Sequence, residues 1–173
     1  MRKFFESHID LIFYVLIIAA LMVGTYERNR VWLTDIGLWQ DCVKKSPNKD
    51  RPYNNLGSAL MKAKRFPEAK IQLEKAISLG GISQMEANNN LGIILGEENQ
   101  FSEAFVHFER ALKIVPNAWE TNNNLGIYKF KSGDNEVALF YIKRALKLNP
   151  DSPLVRGNFQ KITAAKIKKE RGL

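Results

Sequence analysis

An all-α chain, in which one apolar N-terminal helix leads into a solenoid of helix pairs, follows from three features of the sequence. Residues 11–24 form a run of fourteen without a charge, Leu-Ile-Phe-Tyr-Val-Leu-Ile-Ile-Ala-Ala-Leu-Met-Val-Gly. Beyond it, Leu-Gly pairs return at Leu56-Gly57, Leu91-Gly92 and Leu125-Gly126, 35 and then 34 residues apart. Ala69, Ala104 and Ala138 keep the same step thirteen residues after each Leu, and Ala76, Ala111 and Ala145 keep it twenty after. A fixed period of this length marks supersecondary units that stack on one another. Inside each unit the apolar residues recur at helical spacing, as in Leu91, Ile94 and Leu95 and then Phe105, Phe108, Ala111 and Leu112, so each unit is two helices.

Composition bounds what such a chain does. It has 173 residues, 45% of them apolar and 25% charged, which is globular and excludes a disordered or collagen-like chain. A single cysteine, Cys42, forms no internal disulfide, and with only His8 and His107 beside it no structural zinc set exists. The net charge of +8 is uneven: residues 1–51 carry +2, residues 52–152 carry +1 and residues 153–173 carry +5. The body is near neutral and the excess is a short tail, so a phosphate-facing nucleic-acid surface is not expected. The tail reads as a solvated helix face, with contact to acidic lipid or an acidic partner as the alternative.

Residues 1–30 form the first element. Thr25 and Tyr26 extend the uncharged run to sixteen residues, about 24 Å of helix against a hydrocarbon core of about 30 Å. A span therefore recruits Phe4, Phe5 and Ile9 or thins the bilayer, with Asp10 near the edge and the membrane contact over residues 9–26. Arg2 and Lys3 on one flank and Arg28 and Arg30 on the other reach the interfaces, and Tyr26 and Trp32 suit that depth. A cleaved signal peptide is a second reading, although Leu21-Met22-Val23-Gly24-Thr25 offers no small-x-small site. A core helix is a third, but the rest of the chain is committed elsewhere. A short basic start stays in the cytoplasm, which places residues 27–173 outside it.

Residues 31–49 are half a unit, since Trp39 and Cys42 fall where the large and small residues of a second helix belong and Pro47 breaks the chain after it. They are expected to pack on residues 53–64. Full units follow at 50–84, 85–118 and 119–152, each ending in a breaker: Gly81, Pro116 and Pro150. The one-residue insertion lies in the Gly80-Gly81 turn. Pro67 and Glu68 open one second helix, Ser102 is expected to cap another, and Gly133-Asp134 turns into the third. Residues 153–173 make a capping helix and basic tail. Asp151 or Ser152 caps it, Pro153 starts it, and Leu154, Val155, Phe159 and Ile162 form an apolar stripe opposite Lys161, Lys166, Lys168 and Lys169. This alternation of Leu-Gly, small, large, small and Pro over residues 50–152 closely resembles the tetratricopeptide repeat.

That resemblance implies a right-handed superhelix whose first helices line a concave binding face. Those helices carry Asn54-Asn55, Asn88-Asn89-Asn90 and Asn122-Asn123-Asn124, although Asn is a mediocre helix former. An Asn amide donates and accepts at once, so Asn55, Asn90 and Asn124, one per repeat, can track an extended peptide backbone, with Asn54, Asn89 and Asn123 flanking. Arg51, Glu86 and Glu120 would sit at the rim. The row resembles the asparagine ladder of O-linked GlcNAc transferases; support of local packing is the other reading. The carboxylate clamp for chaperone tails needs Lys and Arg where this chain has Asn54, Ser58, Glu120 and Asn124, so that mode is not expected.

The junction Thr25-Tyr26-Glu27-Arg28-Asn29-Arg30-Val31-Trp32, Leu38-Trp39-Gln40-Asp41 and Lys44-Lys45-Ser46-Pro47 resembles the passage from the last membrane helix into the repeat tail of proteins related to O-mannosyltransferases. The multispanning catalytic body is absent, so no activity carries over. No catalytic residue, cofactor or metal ligand is expected: His107 reads as a surface residue, His8 as interfacial, and Cys42 as a small packing residue. Three functions remain: a membrane-anchored scaffold for a protein or peptide partner, a non-catalytic module of a membrane glycosyltransferase complex, or a self-assembling homo-oligomer.

Overall fold

The computed structural model describes the backbone of residues 2–171 and the side chains of residues 11–30, 32–169 and 171. Among these the chain is helical throughout: α1 (Arg2–Val31), α2 (Asp35–Lys45), α3 (Asp50–Lys62), α4 (Phe66–Leu79), α5 (Gln84–Glu97), α6 (Phe101–Ile114), α7 (Trp119–Lys131), α8 (Asn135–Leu148) and α9 (Pro153–Glu170). Expectations for the side chains of Arg2, Lys3, Phe4, Phe5, His8, Ile9 and Asp10 fall outside the described residues.

Helix α1 has 30 residues, about 45 Å of axial length. Over Leu11–Arg30 its mean hydropathy is 1.7 and none of it is buried, so it presents apolar side chains on every side. It runs past the uncharged segment because Glu27 and Arg30 pair at 3.4 Å within one turn and the last turn ends in Arg28 and Arg30, which suit a helix C-terminus. Trp32 then ties α1 to α2. Arg28 and Lys45 lie 5.6 and 5.8 Å from its ring centre, and its indole N–H donates to Asp41 at 3.3 Å.

The Leu-Gly signature is explained by how closely each pair of helices packs. A Cβ on Gly57 would stand 2.7 Å from Leu73, one on Gly92 2.8 Å from Phe108, and one on Gly126 2.7 Å from Ile142. Each first helix thus lies against a large, fully buried side chain of its second helix, while Ala69, Ala104 and Ala138, all fully buried, let the second helix approach in turn. The turn inside each pair also repeats. Lys64, Asn99 and Gly133, each eight residues after its Leu, have φ of 58°, 61° and 91°. Between units one and two, the Ser83 N–H donates to the Asp50 carboxylate at 2.6 Å, filling the turn where the extra residue sits.

Both ends are covered by single helices. Helix α2 packs on α3 through Ile36, Trp39 and Val43, yet none of its residues is fully buried, and Trp39 and Cys42 are half-buried. Helix α9 closes the other end with Val155 and Ile162, and Ser152 caps it by accepting from the Val155 N–H at 3.4 Å.

Three local expectations change. Ser102 lies inside α6, whose N-cap position is Gln100, because the turn residue Asn99 starts the helix two residues earlier. Leu154 is 59% exposed, since the α9 stripe follows Val155, Phe159 and Ile162 and leaves Leu154 a quarter-turn away. Lys166 is half-buried rather than fully solvated, and holds Glu136 of α8 at 2.6 Å.

Candidate peptide-binding groove

The first helices touch one another along one side of the stack, α3 to α5, α5 to α7 and α7 to α9. Among the described residues α4, α6 and α8 make no such contacts, so the second helices splay apart. A close inner row and an open outer row curve the stack with α3, α5 and α7 on the concave side. There a groove of about 370 Å³ opens between Asn54, Asn55 and Ser58 of α3, Met85, Glu86, Asn89 and Asn90 of α5, and Glu120 and Thr121 of α7.

The asparagines of these helices divide by register. Asn88 and Asn122, three residues before their Leu, donate to the backbone carbonyls of Gln84 and Ala118, each at 2.8 Å, and so close on their own helix. The Asn88 Oδ1 lies 3.0 Å from His107 Nδ1, which makes that nitrogen the protonated one. The Asn122 Oδ1 is buried without a partner; Tyr141 holds the repeat position that His107 holds one unit earlier.

The remaining asparagines form rungs between repeats. Asn124 Nδ2 donates to Asn89 Oδ1 at 3.1 Å, and Asn158 Nδ2 donates to Asn123 Oδ1 at 2.9 Å. Each bond joins the residue just before Leu, or its equivalent in α9, to the residue two before Leu in the preceding unit. Asn123 is only 2% exposed, and neither Asn123 nor Asn124 lines the groove. The first rung differs. Asn90 has the register of Asn124 but makes no hydrogen bond to Asn54; the Asn54 amide donates weakly to Asn55 Oδ1 at 3.4 Å, and its own Oδ1 is buried without a partner. Leaving such an acceptor unmet costs about 1–3 kcal/mol. Of the six asparagines singled out in the sequence, the groove gathers Asn54, Asn55, Asn89 and Asn90.

Asn158 was missed, although its place 34 residues after Asn124 was a usable signal. So was the brace at the far rim: Tyr128 stacks on Phe108 at 5.6 Å and donates to Glu97 at 2.8 Å, which also takes Lys131 at 2.8 Å. Burial, then the Glu97 carboxylate, raises the Tyr128 phenol well above its ordinary value. Lys131 and Tyr128 hold the Glu97 carboxyl low. His107, expected at the surface, is half-buried, as its bond to Asn88 requires. Burial first, then Arg110, lowers its pKa against the opposing pull of Glu74 and Glu103. Among the described residues no three His, Cys, Asp or Glu side chains converge as a metal site.

The tetratricopeptide repeat matches residues 53–80, 87–115 and 120–152, together just over half of the chain. No curated protein is significantly similar to it. Among solved structures it is similar to one described as the crystal structure of MamA, with a TM-score of 0.60 and 18% identity over 79% of this chain and 89% of that one. A MamA RS-1 ArsTM double mutant gives 0.65 and 18% over 86% and 79%. A further crystal structure of MamA protein gives 0.65 and 18% over 79% and 74%. At that identity the likeness is one of fold.

Proposed function

This chain belongs to the tetratricopeptide-repeat family, and on that premise we propose that it is a membrane-anchored scaffold holding an extended peptide or a helix of a partner protein in its concave groove. The observation that carries this reading is the groove over α3 and α5, where Asn55 and Asn90 present amides to solvent at equivalent positions of successive repeats. Such amides meet both the C=O and the N–H of a peptide backbone. The reading is tested with the full chain in detergent, carrying a photocrosslinker at Asn55 or Asn90 of the groove or at Ile71 of the outer face. Adducts to added peptide from the groove positions alone support it; equal labelling from Ile71 rejects it.

The anchor part rests on the apolar, unburied Leu11–Arg30 segment of α1, uncharged from Leu11 to Tyr26. Detergent-dependent extraction with residues 1–30 still attached supports an anchor, whereas a mature protein beginning after Gly24 makes this segment a signal sequence. Repeats outside the cytoplasm are digested by protease in intact spheroplasts; digestion only after lysis reverses that orientation. The resemblance of residues 11–57 to the junction in O-mannosyltransferase-related proteins favours a second reading, a non-catalytic module of a membrane glycosyltransferase complex. Co-purification with such an enzyme separates the two. A homo-oligomer held by α1 is the third, and it dissociates when residues 1–30 are removed.

A further inference from the structure

We propose that the first rung of the groove selects an extended peptide carrying an arginine or lysine, whose cation is taken by Glu86 and Glu120 while Asn54 and Asn90 bind beside it. The inference rests on the groove reading above and names the chemistry of its occupant.

Three observations converge on that place. The rungs Asn89–Asn124 and Asn123–Asn158 are closed by amide–amide bonds, whereas at the first rung Asn90 has no hydrogen bond and Asn54, 7% exposed and lining the groove, keeps an unpartnered Oδ1. Glu86 and Glu120 stand exposed at equivalent positions of α5 and α7, in the wall of the same groove, and no ion pair neutralises either. By contrast Glu68, Glu97, Glu98 and Glu136 each hold a Lys or Arg at 2.6–2.8 Å. No Lys or Arg lines the groove; Arg51, at the equivalent position of α3, is exposed outside it and forms no ion pair with Glu86 or Glu120 among the described residues. A helix N-terminus favours a carboxylate in its first turn, which accounts for each Glu singly but not for their shared wall beside open amides.

A cationic side chain completes this arrangement. Met85, between the two repeats, offers an apolar surface to the methylene stem, and the charged head reaches the carboxylates at the rim. A guanidinium has donors to spare for the half-exposed Asn90 amide as well. An anionic peptide meets two exposed carboxylates with no ion-pair partner of their own and is disfavoured.

The test uses the full chain in detergent and fluorescent short peptides on a Gly/Ser frame with Arg, Lys, Ala or Glu at one scanned position. Arg and Lys peptides are expected to bind best and Glu peptides worst, with the preference shrinking as salt rises. The double substitution E86Q/E120Q is expected to reduce the preference for Arg over Ala about tenfold, the worth of two exposed charge pairs, while Ala peptides bind as before. Glu109→Gln, on the exposed face of α6, leaves the preference intact. Asn90→Ala weakens all peptides alike. Thermal melts of each variant separate loss of binding from loss of fold. Binding without charge preference, or a basic preference that survives E86Q/E120Q, overturns this inference and leaves the groove reading standing; no binding by any peptide overturns both.

Discussion

A missing Cβ decides how closely two helices of a repeat approach. At Gly92 the Phe108 ring occupies that space, and the ring is fully buried with no room to withdraw. Gly92→Ala is therefore expected to lower stability by about 1–3 kcal/mol, read from thermal or denaturant melts. Gly157→Ala is the opposite case, because nothing lies within 4 Å of its Cβ position on an exposed turn of α9, and a gain of about 0.5–1 kcal/mol is expected. A loss at Gly157 as large as that at Gly92 would show that helix entropy and packing had been misassigned. The sequence displayed the glycine period plainly but gave no means of seeing which side chain each glycine admits. His107 is a second residue whose environment was illegible, since its partner Asn88 lies on another helix. Its pKa in the folded chain is below the ordinary 6.5. The unfolded chain therefore takes up a proton first as pH falls through 6.5, and stability declines until pH passes the folded value, below which this contribution is constant. Subtracting the pH profile of His107→Gln from that of the parent should isolate a decline confined to this window; parallel profiles would remove His107 from the account.

At the scale of single elements, the turns between paired helices repeat one backbone conformation with three different residues. Lys64, Asn99 and Gly133 all have positive φ, yet only Gly and Asn tolerate it readily. Lys64→Gly is expected to stabilise the chain by about 1 kcal/mol, and Gly133→Ala to destabilise it by a similar amount, in the same melting experiment. Gly133 was legible as a turn; Lys64 was not, because nothing in its chemistry announces a left-handed residue. The same limit explains Ser102, a good capping residue placed two residues too late because Asn99 had already redirected the chain. Pro67 stands in the first turn as the sequence put it, Ser152 rather than Asp151 is the cap of α9, and Asp134, read only as part of a turn, also caps α8.

Across the whole molecule, the repeat period made the stack of helix pairs legible, because each unit meets only its neighbours and the core is the same contact copied along the chain. The groove was legible only in part. The sequence counted its asparagines, but which amides close on their own helix, which close rungs and which stay open depends on small offsets between helices that no period encodes. Nearest-neighbour packing also sets how stability is distributed. Helix α5 is central to the stack, with Ala87, Leu91, Ile94 and Leu95 buried and helices on both sides, whereas α2 covers the end of the stack without one fully buried residue. Elements that bury little open locally at low free energy. Amide hydrogen exchange on the full chain should therefore show α2 exchanging well before α5 and α6, with α9, anchored by Val155 and Ile162, in between. Peptide bound in the groove would add protection over α3 and α5, the helices that present the open amides, and leave α2 as it was. Uniform exchange from α2 to α8 would mean that the stack opens as one cooperative body, and a binding site confined to its first rung would then tighten the entire solenoid.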